Sequence, residues 1–136
     1  MSAAEDILAA AKTILVIDWP SRDVPDALAR ASFDVIVKGG PGPADYTPAR
    51  PARVDIVYCH RPLAELPAIV ELAQELGAGT IWYQSGLAPT GAKDPHGCWL
   101  GGADAAEARA TVEDAGLRWI AGSYIADVAR RVRGEA

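Results

Sequence analysis

Two cysteines and two histidines fall in two close pairs, Cys59-His60 and His96-Gly97-Cys98. Four such donors suit tetrahedral zinc in kind and number, and a Cys beside a His can form a nucleophilic thiolate–imidazole pair. The spacing serves neither chemistry well. Successive strand residues point to opposite faces, so Cys59 and His60 share a metal only if the strand ends between them. No third group orients either pair. Ser85 precedes Gly86 without the glycine-x-serine-x-glycine elbow, and Glu113-Asp114 reads as a solvated helix end. The expectation is a chain with no catalytic set and no metal centre, a binding module rather than an enzyme. His60-Arg61 is the most functional-looking pair: the arginine at a strand end suits a phosphate or carboxylate, or else an acid of its own chain.

The elements that position these residues follow from hydrophobic periodicity. Thr13 to Asp18, Val35 to Val37, Val54 to Cys59, Thr80 to Tyr83 and Leu117 to Ala121 read as five strands. The first is a continuous apolar run ending in an acid, as in a central parallel strand covered on both faces. Helices are predicted over residues 3 to 11, Val24 to Ala31, a stretch ending before Gly77, Asp104 to about Ala115, and Ile125 to Val132. Gly77 and Gly116 stand where helix C-caps belong, and Pro67 is tolerable in a first turn. Arg130, Arg131 and Arg133 suit the C-terminal dipole end of the last helix and read as a solvated face. The Gly- and Pro-rich stretches 38–53 and 85–102 are predicted loops.

Strand–helix–strand units of this length demand parallel pairing and right-handed crossovers. The prediction is one domain over residues 1–136, an α/β fold with a doubly wound, five-stranded parallel sheet. Ligands of such sheets bind at the carboxyl ends of the strands, near the reversal of strand order. That rule selects Asp18, Trp19, Ser21 and Arg22 after the first strand, and Lys38, Gly39 and Gly40 after the second. It selects His60 and Arg61 after the third, and Gln84, Ser85 and Gly86 after the fourth.

Several stretches together resemble the small stand-alone CoA-binding proteins. They are ILAAAKTILVI, ALARASFDVIV, VDIVYCHRPLAELPAIVELAQELGAGTIWYQSGL (residues 54–87) and EDAGLRWIAGSYIADVARRV. Those proteins are single Rossmann-like domains akin to the CoA-binding domain of the succinyl-CoA synthetase alpha subunit. The resemblance implies a Rossmann-like fold and CoA as the ligand. It also implies no acyl-CoA ligase activity, because the ligases use a phosphorylated histidine in a further domain for which this chain has no room.

One departure is chemically pointed. The family carries a Gly-Ala-Ser type turn after its first strand, whose backbone N–H groups hold the pyrophosphate. This chain has Asp18-Trp19-Pro20 and a shorter loop. A carboxylate there repels phosphate, and Trp19 blocks close backbone approach. Lys38-Gly39-Gly40-Pro41 replaces an Asn-Pro type turn and supplies one positive charge. Three readings of the turn stay open. Arg22 substitutes for the lost donors, Asp18 accepts from a ribose or a cationic ligand, or Trp19 fills the pocket and no nucleotide binds.

Composition narrows the partners. The chain has 136 residues, half of them hydrophobic and 23% charged, with a net charge of −5. That balance argues against nucleic acid or an anionic membrane surface, which need clustered Lys and Arg. No apolar run is long enough to span a bilayer, and the acidic N-terminus MSAAEDILAAAK reads as no signal peptide, so a cytoplasmic location is expected. The expected function is non-catalytic binding of CoA, an acyl-CoA or a related nucleotide. The alternative is a fold that has lost its nucleotide and acts as a protein-interaction module or homodimer through Trp19, Trp99 and the Pro-rich loop, and a third reading is a small enzyme or zinc protein using the Cys/His pairs.

Overall fold

Three runs with no polar alternation, TILVI, IVYC and TIWY, become strands buried on both faces. The computed structural model of the protein describes residues 3–17, 23–38, 46–47, 51–60, 63–84, 102–121 and 124–133. The strands are β1 (Thr13–Ile17), β2 (Asp34–Lys38), β3 (Tyr46–Thr47), β4 (Ile56–Cys59), β5 (Thr80–Tyr83) and β6 (Arg118–Ala121). The helices are α1 (Ala3–Ala10), α2 (Asp23–Arg30), α3 (Leu66–Glu75), α4 (Gly102–Asp114) and α5 (Ile125–Arg133), with a single 3-10 turn, Leu63–Glu65, leading into α3.

Five strands pair in parallel in the order β2-β1-β4-β5-β6, the predicted doubly wound sheet. One prediction needs correction. Tyr46–Thr47, inside the stretch expected to be loop, adds a two-residue antiparallel strand beyond β2, pairing Tyr46 with Lys38. Two residues carry no periodicity from which a strand could be read.

The two faces of the sheet have separate cores. Ile14, Val16, Ile56, Tyr58 and Trp82 pack under α1, α2 and α5. Leu15, Ile17, Val57, Cys59, Ile81 and Tyr83 pack under α3 and α4. Each fully buried aliphatic or aromatic side chain contributes about 1.5–3 kcal/mol, so these layers supply most of the drive to fold. Strand β6, at the sheet's edge, is only half-buried, which is why Trp119 stacks on Tyr83 at 5.6 Å instead of sinking into a core.

Helices α2, α3 and α4 stop in one way. A residue in the left-handed region lets two amides turn back to the last carbonyls, as in a Schellman motif. After α3, Gly77 (φ 68) and Ala78 donate to Gln74 and Ala73. After α4, Gly116 (φ 83) and Leu117 donate to Glu113 and Val112. Both glycines are where the sequence placed them. After α2 the position falls to Ser32 (φ 69), where a Cβ makes the same turn more costly.

At the amino edge of the sheet Asp55 organises the start of β1. Its carboxylate accepts from the amides of Lys12 (2.9 Å) and Thr13 (3.0 Å). The Thr13 amide chiefly holds its pKa below the ordinary value; partial burial opposes this, and the Lys12 amide and the charges of Arg53 and Lys12 add to the lowering. A lowered folded pKa means stability present above the unfolded value and lost as pH falls through the folded one. Asp55→Ala is expected to cost about 1–2 kcal/mol at neutral pH. The gap between parent and variant should narrow on acidification to about pH 3. Urea titrations at several pH values check it, and a gap independent of pH would refute the assignment.

Candidate functional site

The strand order reverses between β1 and β4, and in open α/β sheets ligands bind at the carboxyl ends of the strands that flank such a switch point. The hydrogen-bond ladder runs one residue past the strands there. The His60 amide donates to the Ile17 carbonyl (3.1 Å), and the Gln84 amide donates to the Cys59 carbonyl (3.0 Å). Extending the Cys59–Tyr83 pairing by one residue sets His60 beside Gln84. Two of the sequence-selected residues are thereby neighbours at the switch point.

Gln84 is 1% exposed. Its Oε1 accepts from the Tyr58 hydroxyl at 2.9 Å, while its Nε2 is buried and has no hydrogen-bond partner among the described residues. Tyr58 is fully buried in the layer under α1, α2 and α5. Sequence reasoning missed Tyr58. The available signal was a phenol inside an otherwise apolar strand, since a buried tyrosine hydroxyl needs a partner.

Lys38 is brought to the same edge but to the other face. Register places it beside Ile17, which pairs with Cys59 in the α3/α4 layer. Lys38 is 1% exposed, and its Nζ lies 5.2 Å from the centre of the Tyr46 ring, a cation–π contact. The short strand β3 thus exists where it covers the lysine. Of the other selected residues, Asp18, Trp19, Ser21, Arg22, Gly39, Gly40, Arg61, Ser85 and Gly86 lie outside the described residues.

A second polar group ties the helices above this edge. Asp23, in the first turn of α2, accepts from the Tyr124 hydroxyl (3.0 Å) and from the Arg130 guanidinium of α5. Arg130 also reaches Asp127 at 3.1 Å. Arg133 donates to the Ala11 carbonyl at 2.7 Å and lies over the Phe33 ring at 4.2 Å. Of the arginines expected to form a solvated face, Arg131 and Arg133 are exposed as expected, while Arg130 and Arg133 also make the structural contacts just described. Cys59 is a buried thiol beneath α3, while His96 and Cys98 lie outside the described residues. Among the described residues no three His, Cys, Asp or Glu side chains gather as metal ligands. No described helix is long and apolar enough to cross a membrane.

The fold and this edge define a class of ligand-binding α/β domain. The CoA binding domain family matches residues 18–127, most of the chain, and the chain belongs to that family. The match opens on Asp18, so it takes in the altered turn. Among solved structures the chain is similar to the crystal structure of Prb, a PH1109 protein redesigned for binding. That likeness has 20% identity and a TM-score of 0.66, covering 98% of this chain and 92% of the other. At that identity it supports the Rossmann-like fold alone. A search of curated proteins finds no match.

Proposed function

We propose that the protein binds CoA or an acyl-CoA at the carboxyl edge of its sheet, without catalysing a reaction on it, in the cytoplasm. Family membership over residues 18–127 is the observation that carries this reading. The edge residues fit such a ligand in one respect that can be stated chemically. Among the described residues the buried NH2 group of Gln84 has no acceptor, and CoA is rich in acceptors along its whole length. Positive charge for the phosphates comes from Arg22 and Arg61, with Lys38 behind Tyr46 adding to the local potential. The Asp18-Trp19-Pro20 turn opposes a phosphate cradle of the usual kind, so more of the binding rests on these side chains than on backbone N–H groups.

Calorimetric titration of ligand-stripped protein with CoA tests the proposal, with ADP as a control. The expected result is saturable binding of one CoA per chain with a Kd on the order of 1 μM. CoA at about 100 times Kd should then stabilise the fold by about 2.7 kcal/mol. Absence of both heat and thermal shift would mean that the fold has outlived its nucleotide, and would leave protein contacts as its function.

A further inference from the structure

A buried amide with only one of its two ends hydrogen-bonded is an unusual thing for a fold to keep. An unsatisfied buried donor destabilises, and the great majority of buried polar groups are paired. Gln84 sits at the end of β5, beside His60 at the switch point, with its oxygen occupied by Tyr58 and its NH2 group unsatisfied among the described residues. The Tyr58 hydroxyl donates to the Gln84 oxygen, so the NH2 end of the carboxamide is the one left to offer. We propose that Gln84 is a ligand-reading donor of this site and that Tyr58 is its positioning residue. In this arrangement the Gln84 NH2 group hydrogen-bonds an uncharged acceptor of the bound ligand. The inference rests on the CoA reading above and names the part of the ligand class that this position recognises.

The acceptor is uncharged for an electrostatic reason. Gln84 is 1% exposed and shares a layer with Tyr58 and Trp82. Lys38, the buried cation of this edge among the described residues, belongs to the opposite face of the sheet. Asp23 holds a carboxylate at the start of α2 on the same side as Tyr58. Bringing a phosphate into such a layer costs more than one neutral amide returns. An amide carbonyl or a ring nitrogen carries no such penalty. In CoA those acceptors come from the pantetheine arm and the adenine ring.

The test uses the full chain and four proteins: parent, Gln84→Met, Tyr58→Phe and the double variant. Methionine keeps the length of the side chain and removes both polar ends. Each protein is titrated with CoA, pantetheine and ADP, and its thermal midpoint is measured without ligand. Gln84→Met is expected to bind CoA about tenfold or more weakly, yet to melt no lower than Tyr58→Phe, which strands the Gln84 oxygen. Whichever fragment, pantetheine or ADP, loses affinity with Gln84→Met carries the acceptor. Tyr58→Phe should weaken CoA binding in the parent and have no further effect on binding once Gln84 is Met, as expected of a residue that acts only through the amide. Parent-like CoA affinity in Gln84→Met overturns the inference and leaves CoA binding intact. Equal effects of Tyr58→Phe in both backgrounds reduce Tyr58 to a packing role and overturn its assignment. A parent that binds none of the three probes removes the CoA reading itself, and this inference with it.

Discussion

Trp82→Ala is expected to lower the stability of the protein by about 3–5 kcal/mol. Trp82 lies in β5, between β4 and β6, and is 0% exposed. Its ring fills the layer that also holds Ile14, Val16, Tyr58, Leu28 and Ile125. Truncation removes the transfer free energy of the indole and leaves a cavity that flanking strands cannot close, because they are held in register on both sides. Domains of this size have total stabilities of about 5–15 kcal/mol, so the variant should sit near the edge of folding. Urea unfolding followed by circular dichroism measures the loss. Trp82→Phe keeps most of the volume and should lose far less. A loss under about 1 kcal/mol in Trp82→Ala would contradict the packing described for this layer.

Ala129→Leu should also be costly, for the opposite reason. Helix α5 lies against both α1 and α2, and the contact is built from small residues. Ala4, Ala11, Ala27, Ala126 and Ala129 are all buried there. Added methylenes have no void to enter, so they push α5 outward or force strained rotamers, at about 1–3 kcal/mol or more. The displacement would also strain the bonds from Asp23 to Tyr124 and Arg130, which cross the same α2–α5 contact. The same substitution at Ala106, on the exposed side of α4, is expected to change stability by no more than about 0.5 kcal/mol. Thermal melts of the two variants side by side check this. Equal behaviour would show that α5 packs with more slack than its buried alanines imply.

These two positions sit behind the candidate site, and they show how the fold serves it. The strands that end in His60 and Gln84 are clamped by apolar layers on both faces, so the edge is presented by rigid elements. Polar groups at the edge then adopt positions that local sequence would not choose. Gln84 is buried with its NH2 group unsatisfied among the described residues, and Lys38 is buried behind a two-residue strand. Such violations of burial rules are characteristic of binding sites, where local cost is accepted for recognition.

What the sequence alone determined is whatever repeats within a few residues. Apolar runs placed the central strands β1, β4 and β5, the last to the residue, because a strand covered on both faces must be apolar throughout. Glycines at the end of an apolar helical face placed the stops at Gly77 and Gly116, because few other residues adopt positive φ cheaply. Alternation of strand and helix then implied the switch-point edge, where the chain turns out to gather Lys38, His60 and Gln84.

The tertiary structure alone decided which of these residues face one another. Lys38 ends β2 and Gln84 follows β5, both at the carboxyl edge, yet register sends one to each side of the sheet. Tyr58 meets Gln84 across 26 residues, and Asp23 meets Arg130 across 107. No local period encodes such pairings. They follow from strand order and from which helix covers which face, and those are settled only when both cores are packed together.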